Sequence, residues 1–207
     1  MFSDQDLQVM DSIIKRYPRS RSAIMPLLHY VQSKAGYVTN EGIELIAQLL
    51  TIETAEVSAV ATFYTQYKRK PVGEYHVGVC TNTLCAVMGG DAIFAGLKEH
   101  LGIENDGVTA DGKVSLEHIE CNAACDFAPV VMANWEFYDN QTVQSSKDLV
   151  DSMRQGNPTP PTRGPKSLPT WKENSAVLAG INDGRANEGV QAGEPTLLGL
   201  KLAKEGK

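Results

Sequence analysis

The chain has 207 residues, with 19 Lys and Arg against 25 Asp and Glu, a net charge of −6. An acidic balance argues against nucleic acid as the main partner, and no apolar run approaches the roughly 20 residues that a membrane-spanning helix needs. The start, Met1-Phe2-Ser3-Asp4-Gln5-Asp6, has neither a basic region nor an apolar stretch, so it reads as neither signal nor transit peptide.

The first 70 residues read as four helices. Ser3 with Asp6 forms a capping-box-like start, followed by the apolar face Leu7, Met10, Ile13 and Ile14, and Pro18 ends the helix. A second helix begins near Ser22 and carries Ile24, Leu27, Leu28, Val31 and Ala35, with Gly36 as its stop. Thr39 begins a third, with Ile43, Ile46, Ala47 and Leu50 on one stripe. Thr54 begins a fourth, with Val57, Val60, Ala61 and Tyr64. Short connections predict a bundle of antiparallel or crossing neighbours.

The pattern changes at Pro71. Tyr75 to Val79 alternates as a strand and runs into Cys80; Ala86 to Leu101 reads as a helix, with Gly89-Gly90 as a packing or start feature. Lys113 to Glu120 is a second strand running into Cys121. Pro129 to Ala133 is a third, and Phe137-Tyr138 with Thr142-Val143 resembles a hairpin around Asn140. Lys147 to Arg154 closes the domain as a helix. The class is α+β: a helical domain over 1–70, then an α/β layer with a small mixed sheet over 71–154. Residues 155–207 hold six of the ten prolines and eight of the eighteen glycines, and seven basic against five acidic side chains. They are expected to run as an extended tail with no domain of their own. The separated apolar groups of that tail would anchor along partner subunits.

All four cysteines lie in the α/β part. Cys80 and Cys85 are separated by four residues, Cys121 and Cys125 by three, and each pair leaves a strand. Two loops at the same end of neighbouring strands can bring four thiolates together. Zinc and a [2Fe–2S] cluster both accept such a set; a dithiol oxidoreductase would more often show Cys-x-x-Cys. Pairs on strand ends of a domain large enough to fold without metal tilt the reading toward a redox centre. His118, three residues before Cys121, reads as an ordinary strand histidine rather than a ligand. His29 reads as a core or groove residue, and His76 and His100 have no partner motif. No phosphate-cradling glycine loop, nucleophile elbow or zinc-protease helix is present.

Val79-Cys80-Thr81-Asn82-Thr83-Leu84-Cys85, then Cys121 and Cys125-Asp126-Phe127-Ala128-Pro129, resemble the family of thioredoxin-like [2Fe–2S] E subunits of respiratory complex I, NADH:quinone oxidoreductase. Arg16-Tyr17-Pro18, Arg21-Ser22-Ala23, Pro26-Leu27-Leu28, Gly36-Tyr37-Val38 and Val60-Ala61-Thr62-Phe63-Tyr64-Thr65 carry the likeness into the helical half, so it spans roughly residues 13–154.

The resemblance implies a four-helix part, a thioredoxin-like domain, and Cys80, Cys85, Cys121 and Cys125 as ligands of one [2Fe–2S] cluster. It implies a flavoprotein partner carrying FMN, the NADH site and a [4Fe–4S] cluster, with further peripheral-arm subunits beside it. The location implied is the cytoplasmic face of the bacterial inner membrane, without membrane insertion, and the chain by itself would hold no nucleotide or quinone site. The same family includes small subunits of NAD-linked formate dehydrogenases and bidirectional hydrogenases; a reading of another class is a zinc-stabilised scaffold. Where many relatives have Cys-Leu-Gly-Ala-Cys, this chain has Cys121-Asn122-Ala123-Ala124-Cys125. Ala123 suggests a loop that does without positive φ, and Asn122 adds a polar side chain near the sulfurs. Pro129 is expected to be trans, on the low generic frequency of cis X–Pro bonds. Gly189-Val190-Gln191-Ala192-Gly193 resembles a stretch at the end of some relatives.

Overall fold

Capping chemistry sets where the first helices begin. In this computed structural model, which describes residues 2–190 and 192–206, Ser3 and Asp6 form the reciprocal capping box of α1 (Asp4–Ile14). A 3-10 turn over Ser20–Ala23 leads into α2 (Ile24–Ala35), which ends at Gly36 with φ of 86°. Thr39 caps α3 (Asn40–Leu50) through the Gly42 amide, and α4 (Thr54–Phe63) follows. The chain divides into two compact units: one up to Val72 together with Pro169–Asp183, the other Gly73–Leu168 with the residues from Gly184 onward. Gln191 of the C-terminal stretch that resembles relatives lies outside the described residues.

The core of the helical unit is built from the stripes the sequence marks: Met10, Ile13, Leu27, Leu28, Val31, Ile46 and Val57 are all buried. Asp6 ties the first two helices together. Its carboxylate accepts from the Tyr30 hydroxyl at 2.7 Å and pairs with Lys34 at 2.7 Å. The Lys34 ammonium, the Ser3 amide and the two hydroxyls hold its pKa far below the usual carboxylate range. Gln32, fully buried, donates to the Gln66 carbonyl at 3.1 Å and accepts from the Lys68 amide at 2.9 Å.

The second unit is a five-stranded mixed sheet. Its elements are β1 (Tyr75–Cys80), α5 (Thr83–Val87), α6 (Gly90–Leu101), β2 (Gly107–Val108), β3 (Val114–Ile119), β4 (Val131–Ala133), β5 (Glu136–Tyr138) and α7 (Val143–Arg154). The strand order is β2-β3-β1-β4-β5, with β1 and β3 parallel and the other pairings antiparallel. Side chains alternate across β1. Val77 and Val79 face a core closed by Ile93 and Leu97 of α6 and Leu149, Val150 and Met153 of α7. Cys80 and Met132 belong to a separate cluster with Cys85, Ile119 and Val130.

Several expectations change. The helix over Ala86–Leu101 is two helices, because Gly89 takes φ of 116° and turns the chain between them. The hairpin joins β4 to β5 at Asn134-Trp135, whose φ values of 48° and 68° suit a tight primed turn. No hairpin forms around Asn140; Thr142 instead caps α7 through the Ser145 amide, so that helix begins four residues earlier than its apolar pattern suggests.

The expectation of an extended tail fails over two stretches. Trp171–Leu178 is a helix, α8, with a Thr170–Glu173 capping box, and it packs on α2. Trp171 is 2% exposed and its indole N–H donates to the Gly36 carbonyl at 2.7 Å. Buried aromatic area, which tail composition does not reveal, decides the packing. Glu194–Lys204 forms α9, with no buried residue among its described side chains. Between Arg154 and Leu168, Thr162 donates its amide to the Phe137 carbonyl at 2.9 Å. Arg163 lies over the Phe137 ring at 4.1 Å while pairing with Asp139.

Two expected outcomes follow from the helical unit. Trp171→Ala should lower its stability by about 3–5 kcal/mol in denaturant unfolding, through lost area and the cavity left behind. His29 is 5% exposed against the Tyr67 ring, and burial lowers its pKa to about 4. Between pH 6.5 and 4 the unfolded chain takes up a proton that the folded chain refuses, so stability falls as pH falls. From pH 7 to 4.5 the loss should be about 2–3 kcal/mol. Asp6 acts in the same direction at lower pH. His29→Phe should remove most of that slope, measured as urea midpoints across the range.

Candidate metal centre

Parallel pairing of β1 with β3 brings the two cysteine loops together. The last rung aligns Cys80 with Ile119, so both strands release their loops at the same end. Cys80 closes β1, Cys85 sits in α5, Cys121 follows two residues after β3, and Cys125 opens the 3-10 turn Cys125–Phe127. All four thiols are free. They line one cavity of about 340 Å³ with Asn82, Thr83, Leu84 and Val87.

The four are not equivalent. Cys80 and Cys85 are buried, while Cys121 and Cys125 are exposed. The Sγ atoms of Cys121 and Cys125 are 3.9 Å apart. Burial is the first cause that pushes the Cys85 thiol up to about 11; the Val130 amide opposes it, and Cys80 adds to it. The Cys121 thiol beside it raises Cys125. Both shifts favour the protonated thiol, so taking up a metal at Cys85 and Cys125 releases protons. Among the described residues no three His, Cys, Asp or Glu side chains are already drawn together around a single point. The cysteines present themselves as two pairs, one from each loop.

Backbone supports the donor set. The Ala123 amide donates to Cys121 Sγ at 3.4 Å. Ala123 itself has φ of 55°, which corrects the expectation that the loop avoids positive φ. For alanine this conformation costs about 1–2 kcal/mol. Asn122 does not reach a sulfur: its Nδ2 is buried without a partner. The polar side chain beside the thiols is Asn82 instead, with Nδ2 3.8 Å from Cys80 Sγ and 3.0 Å from the Ile119 carbonyl. Composition did not mark Asn82; its place two residues after Cys80, at the start of a helix, is the signal that could have.

Pro129 follows a cis peptide bond, contrary to expectation. An X–Pro bond favours trans by only about 0.5–1 kcal/mol, and local pairing decides it. Here the Val130 carbonyl accepts from the Cys80 amide at 3.1 Å, and the Pro129 carbonyl from Gln141 at 2.9 Å. Gly90 is a packing position. A Cβ there would meet the Cys80 and Cys85 carbonyls, the latter at 2.9 Å. The histidines stay out of the cavity. His118 is exposed on β3, its ring 6.0 Å from Phe94, and His100 pairs with Asp151. His76 bonds Ser115 at 3.0 Å and Glu117 at 2.9 Å.

Residues 10–154 match the family of thioredoxin-like [2Fe-2S] ferredoxins. The E subunit of the Mycobacterium tuberculosis NADH-quinone oxidoreductase is 59% identical over 194 residues, covering 93% of this chain and 77% of that one. The corresponding protein of Rickettsia bellii is 41% identical over 156 residues, covering 74% of this chain and 93% of that one. Among solved structures, an H2-reduced NAD+-reducing [NiFe]-hydrogenase matches with a TM-score of 0.57. At 17% identity, over 65% of this chain and 23% of that one, it shows a shared fold.

Gly90→Ala should cost about 1–3 kcal/mol, because a methyl group there is forced against two backbone carbonyls that cannot yield without moving the first cysteine loop. Urea unfolding measures it, and a surface change such as Glu99→Gln should leave the midpoint in place.

Proposed function

From the premise that this chain belongs to the thioredoxin-like [2Fe-2S] ferredoxin family, and within it to the E subunits of NADH-quinone oxidoreductase, we propose that it is an electron-transfer subunit of that enzyme. Cys80, Cys85, Cys121 and Cys125 are then the ligands of one [2Fe–2S] cluster. The observation that carries this reading is the meeting of two thiol pairs, from two parallel strand ends, around one cavity. When bound, the cluster supplies one-electron storage and transfer.

The chain's own residues prepare that place. The buried Cys80 and Cys85 would hold the inner side, and the exposed Cys121 and Cys125 the side open to a partner. Each thiol gives up a proton to become a ligand, and the Ala123 and Asn82 N–H groups offset negative charge at the sulfurs. Leu84 and Val87 set exposed apolar side chains at the cavity wall, a surface that a docked partner could cover.

The electron source is proposed to be a flavoprotein subunit carrying FMN and the NADH site, since hydride chemistry needs a two-electron acceptor. The assembly would sit as a peripheral arm at the cytoplasmic face of the bacterial inner membrane. Among the described residues no helix is long and apolar enough to cross a membrane. The respiratory reading is preferred over formate dehydrogenase or hydrogenase because 59% identity runs along 93% of the chain, while the likeness to hydrogenase is one of fold.

Anaerobically purified protein should contain iron and acid-labile sulfide in equal amounts, two of each per chain. It should not be reduced by NADH until the flavoprotein subunit is added. Cys121→Ser should weaken or alter the visible spectrum, because oxygen is a harder, poorer ligand for iron than sulfur. Stoichiometric zinc without sulfide would overturn the proposal.

A further inference from the structure

Asn82 stands at the start of α5 with φ of −82° and ψ of 162°, the backbone of a helix cap. Asparagine is among the best residues for that place, and its side-chain oxygen ordinarily accepts from an amide in the first turn. Here the side chain makes no such bond. Its amide nitrogen turns the other way, toward the junction of the two cysteine loops. Nδ2 lies 3.0 Å from the Ile119 carbonyl, the last residue of β3 before the second loop, and 3.8 Å from Cys80 Sγ.

One amide nitrogen carries two protons, so both contacts can be made at once. The two acceptors belong to the ends of different strands, β3 and β1. Ile119 is the rung partner of Cys80, so this single group spans the point where the two parallel strands release their ligand pairs. We infer that Asn82 is a positioning residue for the cluster, bracing the first cysteine loop against the end of β3 and donating a hydrogen bond to the Cys80 sulfur. This rests on the proposed assignment of Cys80 as a ligand.

Two consequences follow from the chemistry. A reduced cluster carries one more negative charge than an oxidised one, so an N–H aimed at sulfur stabilises the reduced form more and raises the potential. A brace between the loops keeps the pairs at a fixed separation, so its loss loosens the site as a whole. Groups around metal ligands typically contribute about 10–100-fold to metal affinity.

The test uses the full chain with its cluster, in three forms. Asn82→Leu keeps the approximate size, adds no charge and removes both donors. Asn82→Ser keeps a good helix-capping residue, so a cap lost from α5 cannot explain its behaviour, while its short hydroxyl stops short of the Ile119 carbonyl. Both variants should show a lower midpoint potential, a changed electron paramagnetic resonance signal of the reduced cluster, and loss of iron to EDTA about 10-fold faster or more. A folded variant, judged by circular dichroism, that no longer retains the cluster also supports the brace. If Asn82→Leu does not fold, Asn82→Ser decides alone. Wild-type potential, signal and chelation rate in a fully loaded Asn82→Ser would overturn the inference. Absence of iron and sulfide from the unmodified chain would instead strike the assignment of the cysteines.

Discussion

The parallel ladder between β1 and β3 is the constraint on which the site depends. Parallel strands run in the same direction, so their carboxyl ends lie side by side and their loops leave at one edge. Antiparallel pairing would place the two cysteine pairs at opposite ends of the sheet, separated by the length of the strands. The crossover that parallel pairing demands is provided by α5 and α6, which carry the chain from Cys80 back toward the start of β3. α6 then helps bury one face of the sheet, while Cys80 and Cys85 belong to a smaller apolar cluster with Ile119 and Val130.

That layout yields an asymmetric donor set. Burial disfavours the charged form of the Cys85 thiol. Exposed thiols on the second loop remain reachable. A redox centre held by these four thiols would be shielded on one side by protein and open on the other, which would suit transfer to a docked partner. Short-range hydrogen bonds from Ala123 and Asn82 fall on the sulfurs at two places, and both come from groups whose local conformation departs from the ordinary choice. Ala123 takes a conformation that glycine would take more easily, and Asn82 forgoes its cap.

The helical unit rests on different physics. Its stripes of Leu, Ile and Val bury one another, and capping boxes at Ser3 and Glu53 fix where helices begin. A segment from far along the chain supplies α8, and Trp171 gives the unit a tryptophan, which its residues up to Val72 lack. Chain order therefore does not follow the division into units: residues beyond Arg154 are shared between both.

Much of this was legible from the residues alone. Four helical stripes, three strands, the cysteine pairs and the meeting of their loops all follow from periodicity, capping residues and spacing, because these are local rules acting over a few residues. The positive φ at Ala123, the hairpin at Asn134-Trp135, the cis bond before Pro129 and the placement of Trp171 were not legible. Two of these involve distant segments: the Cys80 amide that bonds the Val130 carbonyl beside Pro129, and the Gly36 carbonyl that takes the Trp171 indole proton; the positive φ values at Ala123 and at Asn134-Trp135 fall on residue types that do not announce them. The sequence by itself determined which chemistry this protein can hold, since four clustered thiols in two pairs admit few uses. Only the tertiary structure decided which thiols are buried, which side chains reach the sulfurs, and where the tail goes, because burial and hydrogen-bond partners are properties of packed segments and not of any one segment alone.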